Sequence, residues 1–282
     1  MTLQEWVEAG AELLRKSPHP ERARADAEFL LRYLLNQERS ALLARWKERL
    51  HENEAALFRG LLERRLSGEP IQYIIGETEF YGLPFRVTPA VLIPRPETEH
   101  LVEAVIALCR GASQRRVVDI GTGSGAIAIA VAHEIPAARV TATDMSPDAL
   151  EVARENAARN GVADRIRFAK GDLLAPVNRE LFDVVASNPP YVGILDRESL
   201  AIEVRDHEPA SALFAGNDGL SVYRRLIPQA WDGLLRGGHI VLEIGHNQRD
   251  AIRELLTASG FENIEFIPDL QGIARVAVAR RP

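Results

Sequence analysis

Apolar positions recur at two different periods along this chain, and the change from one to the other divides it. Leu3, Trp6, Val7, Leu13 and Leu14 fall at helical spacing until Ser17-Pro18-His19-Pro20 breaks the run. Ala23, Ala27, Leu30, Leu31, Leu34 and Leu35 form the stripe of a second helix, and residues 41–46 and 54–66 continue the helical pattern. Ser67-Gly68-Glu69-Pro70 ends it. Residues 71–91 are rich in aromatic and β-branched side chains, with Phe80-Tyr81-Gly82-Leu83-Pro84-Phe85 reading as a hairpin. A helix over 100–109 follows Pro94-Arg95-Pro96-Glu97-Thr98-Glu99. Pro96 suits its first position, and Glu97 and Glu99 favour the positive end of its dipole. Arg95, between two prolines, has no structural role in this pattern.

From Arg115 onward short apolar runs alternate with helical stretches. Strands are predicted over 117–120, 139–143, 166–169, 182–186, 238–244, 264–267 and 275–279. Helices are predicted from 126, over 147–159, over 219–235 and over 249–259. Such alternation predicts an α/β fold: a doubly wound, mostly parallel seven-stranded sheet with its ligand crevice at the C-terminal strand ends. The last two strands are joined closely enough to pair antiparallel. The expected organisation is a small helical docking domain over 1–75, an ordered hairpin linker over 76–92 and an α/β domain over 93–282.

Composition adds exclusions. The net charge is −6 and no long basic run occurs, which argues against a grip on bare nucleic acid. The helical region is balanced, with twelve basic and twelve acidic residues over 1–75. One cysteine, Cys109, excludes an internal disulfide, and seven scattered histidines lack metal-ligand spacing, so no metal site is expected. The N-terminus lacks a basic and apolar leader, and no window approaches about 18 uninterrupted apolar residues. These features predict a cytoplasmic protein with no membrane partner. The oligomeric state stays open, with a monomer as the expectation.

Candidate chemistry lies at three strand ends. Asp119-Ile120-Gly121-Thr122-Gly123-Ser124-Gly125-Ala126 follows the first strand of the alternating region. Its glycines let backbone approach a ligand, and the following helix offers free N–H groups. The spacing fits a nicotinamide dinucleotide and S-adenosylmethionine alike. Asp144 ends the next strand, where its carboxylate can accept from both hydroxyls of a ribose or cap the helix at Ser146-Pro147. Asp172 can take an adenine amino group or serve a turn. Asp119 can reach a cofactor's ammonium or orient the loop.

The third site is Ser187-Asn188-Pro189-Pro190-Tyr191. Two successive prolines cannot continue a central strand, and Asn188 is pushed to an extended conformation by the proline after it. The result is a stiff elbow offering one side-chain amide, backbone carbonyls and one aromatic ring, a rim suited to a planar NH2 group.

Glycine loop, ribose acid and Asn-Pro-Pro-Tyr elbow together resemble the amino-methyltransferases. Beyond that core the chain resembles the release factor glutamine methyltransferase family (PrmC/HemK) over nearly its whole length. The helical region, Phe80-Tyr81-Gly82-Leu83, Ile93-Pro94-Arg95-Pro96-Glu97-Thr98-Glu99, Glu208-Pro209, Gly216-Asn217-Asp218-Gly219-Leu220 and Glu243-Ile244-Gly245 carry the resemblance. It implies methyl transfer from S-adenosyl-L-methionine, leaving S-adenosyl-L-homocysteine, to N5 of the glutamine in the Gly-Gly-Gln motif of peptide chain release factors. It places the cofactor along Gly121, Thr122, Gly123, Ser124 and Gly125 with Asp144 on the ribose; Asp119, Asp172, Leu173 and Asn188 complete the candidate cofactor contacts. It places the substrate glutamine at Asn188, Pro189, Pro190 and Tyr191. The position after Asp172 can be aromatic in that family; Leu173 offers an adenine face apolar contact instead. Asn-Pro-Pro-Tyr also occurs in adenine-N6 DNA methyltransferases, which the acidic charge disfavours. Other readings are a glutamine methyltransferase of a ribosomal protein, a nicotinamide oxidoreductase on the glycine loop alone, and a non-catalytic module that binds release factor.

Overall fold

The computed structural model describes residues 1–111 and 114–282. In chain order its elements are helices α1 (Leu3–Leu14), α2 (Ala23–Leu35), α3 (Arg39–Ala44), α4 (Glu52–Leu66) and α5 (Ile71–Ile75), then strands β1 (Glu77–Phe80) and β2 (Leu83–Arg86) and helix α6 (Thr98–Cys109). The alternating region follows: β3 (Arg115–Ile120), α7 (Ala126–Glu134), β4 (Ala138–Asp144), α8 (Pro147–Arg159), β5 (Ile166–Lys170) and β6 (Phe182–Ser187). After it come α9 (Ile202–His207), α10 (Ala210–Leu213), α11 (Ser221–Gly233), β7 (Leu234–Glu243), α12 (Arg249–Ala258), β8 (Glu262–Pro268) and β9 (Ala274–Arg280).

The chain divides into two compact units. One comprises Met1–Gly76 together with Leu200–His207; the other comprises Glu77–Ser199 and Glu208–Pro282. In the first, α1 is started by a capping box in which Thr2 and Glu5 exchange hydrogen bonds with each other's backbone N–H. Leu3, Val7, Leu14, Leu30, Leu31, Phe58 and Leu62 fill the core. Arg65 is buried among them. Its Nε donates to Asp26 at 2.7 Å, and its Nη1 pairs with Glu203 of α9. A buried guanidinium needs such partners, because taking a charge out of water costs several kcal/mol. The membership of α9 is a long-range return that local periodicity does not carry.

In the second unit the strand order is β5-β4-β3-β6-β7-β9-β8. β3, β4, β5, β6 and β7 run parallel, and β9 pairs antiparallel with both β7 and β8. The chain moves outward from β3 through β4 to β5, then returns to the other side of β3 for β6 and β7. That reversal opens a crevice at the carboxyl ends of β3, β4 and β6. Apolar residues fill both faces of the sheet: Val117, Ile129, Val131 and Val140 on one, Val118, Val185, Leu226 and Ile240 on the other.

The hairpin of β1 and β2 belongs to this second unit. Tyr81 and Gly82 both have positive φ, 53° and 70°, the turn whose twist matches two antiparallel strands. Three details differ from the pattern reading. Residues 71–75, β-branched and aromatic, form helix α5, bounded by Pro70 and by Gly76 in the left-handed region. Helix α6 begins at Thr98, so Pro96 precedes its first turn instead of opening it. The strand expected over 238–244 is β7 and starts at Leu234, and the helix expected over 219–235 ends at Gly233. Among the described residues no helix is long and apolar enough to cross a membrane.

Candidate active site

The registers bring the loops together. Ile120 lies opposite Thr143 of β4 and Ser187 of β6, and Ser187 lies opposite Leu242 of β7. The residues just beyond these positions therefore emerge side by side. A cavity of about 240 Å³ in the second unit is lined by Gly121, Thr122, Gly123, Ser124, Asp144, Asp172, Leu173, Asn188 and Pro190, with Arg95, Thr98 and Arg225 also on its wall.

The glycine loop is held from three sides. Gly121 and Thr122 N–H groups both donate to the Thr143 carbonyl at 2.9 Å, and Gly123 N–H donates to Asp144 Oδ2 at 2.9 Å. Asn156, fully buried on α8, donates from Nδ2 to the Ser124 and Arg86 carbonyls, each at 2.9 Å, and accepts from Arg86 N–H at 2.7 Å. One amide thus ties the loop to the hairpin. At Gly121 and Gly123 a Cβ would meet nothing within 4 Å, so bare backbone borders open cavity. Gly125 has a packing reason as well: at φ +86° its Cβ would lie 2.8 Å from Ile129 Cδ1.

Asp144 Oδ1 accepts from Ser146 N–H at 2.9 Å while Oδ2 takes Gly123 N–H. Each carboxylate oxygen accepts two hydrogen bonds, so two acceptor positions remain on the cavity wall for the paired hydroxyls of a ribose. The cap at Ser146 is present too, with its hydroxyl accepting from Ala149 N–H at 3.1 Å. Asp144 therefore serves the helix start and keeps capacity for a ligand.

Asp119 is turned into the loop and is absent from the cavity wall. Its Oδ2 accepts from Thr122 Oγ1 at 2.6 Å and from Ala128 N–H at 3.2 Å, the geometry of a loop-orienting group. Among the described residues its buried Oδ1 has no hydrogen-bond partner, and burial pushes its carboxyl up to about 7. Asp172 forms an ion pair with Arg225 at the exposed end of the cavity, so an adenine amino group would share it with a cation. Leu173 takes φ 50°, and its carbonyl accepts from Thr143 Oγ1 at 3.0 Å.

At the elbow, Ser187 Oγ donates to the Ile120 carbonyl at 2.7 Å, anchoring it to the central strand. Asn188 Nδ2 donates to Thr98 Oγ1 at 3.1 Å, and Thr98 Oγ1 donates to Glu243 Oε2 at 2.6 Å. Glu243 is almost fully buried; burial pushes its carboxyl up to about 7 against the lowering effect of the Thr98 bond. Pro189 is buried and Tyr191 largely so, and neither borders the cavity. Tyr191 is clamped through its backbone: Gln248 Nε2 donates to the Tyr191 carbonyl at 2.9 Å and to the Gly219 carbonyl at 3.3 Å, while Gln248 Oε1 accepts from Gly245 N–H at 2.9 Å. Arg95 gains the role the pattern reading lacked. It forms an ion pair with the buried Glu208, whose Oε2 also accepts from Ile93 N–H at 3.3 Å. Thr98, Asn156, Glu208, Glu243 and Gln248 were not among the sequence candidates. Only the motif strings around Thr98, Glu208 and Glu243 carried any signal.

Strand order, glycine loop and acceptor-bearing elbow define a Rossmann-like class I methyltransferase. Family models agree: the PrmC N-terminal domain matches residues 5–76, and the Methyltransferase small domain matches residues 97–204. The release factor glutamine methyltransferase of Koribacter versatilis is 42% identical, covering 100% of this chain and 99% of its own. That of Neisseria gonorrhoeae is 44% identical over 99% and 98%. The chain belongs to the release factor glutamine methyltransferase family. Among solved structures, ribosomal protein L11 methylase from Lactobacillus delbrueckii subsp. bulgaricus has a TM-score of 0.50 at 26% identity, covering 67% of this chain and 81% of its own. The hMettl16 catalytic domain has a TM-score of 0.58 at 20% identity over 82% of each chain, a likeness of fold alone.

Proposed function

We propose that this enzyme transfers a methyl group from S-adenosyl-L-methionine to N5 of the glutamine in the Gly-Gly-Gln motif of peptide chain release factors. The observation that carries the reading is the shared cavity wall. The Asn188 amide, built to meet a planar NH2 group, stands on the same cavity as the glycine loop and Asp144, built to meet a nucleoside.

The cofactor supplies an electrophilic methyl whose sulfonium leaves as the neutral thioether of S-adenosyl-L-homocysteine. Gly121 to Gly125 would offer backbone to its tail, Asp144 would take the ribose hydroxyls, and Leu173 would cover the base. An amide nitrogen is a weak nucleophile because its lone pair is delocalised into the carbonyl. The Asn188 side-chain carbonyl on that wall accepts one of its N–H bonds, which helps to localise the lone pair and aim it at the methyl; Pro189, expected to accept the other, lies off the wall. Tyr191 supports the elbow behind the amide plane. The proton that methylation would make acidic on the amide nitrogen can leave to solvent afterwards, so no strong base is required of the chain beforehand. Catalysis is chiefly orientation and electrostatic support of the charge growing on nitrogen. The helical unit, expected over 1–75 and including 200–207 as well, serves as the docking domain for the release factor; the ordered hairpin expected as a linker over 76–92 is part of the second unit, which serves as the catalytic domain in place of an unbroken 93–282.

The test is incubation with labelled S-adenosyl-L-methionine and, separately, release factor, ribosomal protein and DNA, followed by mass mapping. Label on the Gly-Gly-Gln glutamine is the expected result; label on another substrate alone refutes the proposal. Asn188→Ala should lower kcat by about 10²–10³-fold, as for loss of an oriented polar group, while cofactor binding persists.

A further inference from the structure

Asparagine presents an acceptor and a donor of nearly identical shape, and only the acceptor end can receive a hydrogen from a substrate NH2 group. Something must decide which end faces the cavity. Thr98 Oγ1 lies 2.6 Å from Glu243 Oε2 and 3.1 Å from the Asn188 amide. A hydroxyl has one hydrogen. An ionised Glu243 can only accept, so that hydrogen goes to Glu243. Thr98 then offers Asn188 a lone pair and the Glu243 carboxylate accepts from the Asn188 amide directly, and only the Nδ2 end can meet either. Nδ2 is thereby held toward Thr98 and Oδ1 is left toward the cavity.

We infer that Glu243 and Thr98 are positioning residues whose hydrogen-bond polarity selects the catalytic orientation of the Asn188 amide. The inference rests on the reading above, in which Asn188 accepts from the substrate's NH2. Glu243 lies off the cavity wall and acts through Asn188, while Thr98, on the wall, turns its hydroxyl to Glu243 and Asn188. Glu243 closes the C-terminal end of β7, and Thr98 opens α6, so a strand and a helix from distant parts of the chain set one amide.

The charge state of Glu243 controls the device. A protonated Glu243 can donate to Thr98, which frees the Thr98 hydrogen for Asn188 and admits the reversed amide, whose NH2 repels the substrate's own donors. The groups facing Glu243 are Glu97 beside α6, Arg275 of β9, Tyr191 and Asn188 of the elbow, and Tyr223 of α11, whose hydroxyl donates to the Glu243 carbonyl at 2.7 Å. Glu97 and burial oppose ionisation; Arg275, Thr98 and Asn188 support it. The carboxyl consequently titrates near neutrality, at about 7. Activity should rise with pH through that value even though no proton is abstracted before methyl transfer.

Three full-length variants test this. Thr98→Val keeps shape and removes the hydroxyl; its kcat should fall at least tenfold with cofactor Kd within threefold of wild type. Thr98→Ser restores the hydroxyl and should recover kcat to within threefold. Glu243→Gln should lose the rise of kcat near pH 7. A Thr98→Val enzyme with wild-type kcat, or a Glu243→Gln enzyme with an unchanged pH profile, overturns the inference. A second readout needs no turnover. In the wild-type protein the 15N and 1H resonances of the Asn188 side-chain amide should shift with a midpoint near pH 7, and in Glu243→Gln that transition should vanish. Its persistence in Glu243→Gln overturns the relay whatever the substrate. Absence of release factor methylation by the wild type, with the amide transition intact, instead overturns the substrate assignment.

Discussion

Replacing Gly219 by alanine should do more harm than any ordinary glycine substitution in this chain, and its effect can be apportioned. Gly219 has φ +73°, and a Cβ there would lie 2.2 Å from the Tyr191 carbonyl oxygen, 3.0 Å from the Tyr191 carbonyl carbon and 2.7 Å from Gln248 Nε2. The first two are backbone of the elbow and cannot rotate away. Left-handed backbone costs an alanine about 1–2 kcal/mol. Relieving the contact requires a movement on the order of 1 Å, which breaks the hydrogen bonds from Gln248 to Tyr191 and Gly219, at about 1 kcal/mol each. The total is roughly 3–4 kcal/mol. Gly161→Ala isolates the backbone term, since Gly161 has φ +68° with nothing within 4 Å of a Cβ. Urea denaturation of the two variants should separate them by at least about 2 kcal/mol. In the folded fraction methyl transfer should drop about 10²-fold, because the elbow is misplaced by about an ångström. Cofactor affinity should stay within threefold. A Gly219→Ala protein as stable as Gly161→Ala and fully active would show that Tyr191 is not held by this packing.

Asp144→Ala removes the acceptors for both ribose hydroxyls and should weaken S-adenosyl-L-methionine binding at least tenfold by calorimetry; unchanged affinity would refute the ribose role. Asp119→Asn tests the buried carboxyl. Its folded pKa is raised to about 7 from an ordinary 3.8, so its favourable contribution is complete below about 3.8 and is lost as pH rises through 7. The difference amounts to roughly 4 kcal/mol at 1.4 kcal/mol per pKa unit. Between pH 5 and pH 8 the stability of Asp119→Asn should therefore fall less than that of wild type in thermal melts; parallel curves would refute the assignment.

What was legible in the sequence followed from local repetition. Alternating strand and helix periods, the glycine loop and the proline elbow reported the sheet and its switch point, and placed part of the cavity wall, while the candidates Asp119, Pro189 and Tyr191 lie off it. The supports of that site were not legible, because each is one polar residue meeting a partner far away in sequence. Asn156 sits on an alanine-rich helix face, and nothing local says that it holds Ser124. Gln248 precedes α12 as an ordinary surface residue would, yet it clamps Tyr191. Thr98 and Glu243 reach Asn188 only because β6 and β7 are neighbours and α6 begins beside them. Pro96 pointed to the wrong helix start because proline favours several positions near a helix N-terminus. Residues 71–75 misled through their β-branched content, which tertiary burial of Tyr73 and Ile74 overrode.

The pairing of Arg65 with Glu203 has a consequence for synthesis of the chain. The helical unit is first in order of translation, but its buried guanidinium lacks one of its two carboxylates until Glu203 has emerged. At 5–20 residues per second that interval is roughly 7–30 s, long compared with the folding of small helical domains. During it the nascent helices hold a cation compensated by Asp26 alone. Cutting the gene after residue 76 would make that interval permanent, so a fragment meant to represent the helical unit needs residues 200–207 supplied, in cis or as a peptide.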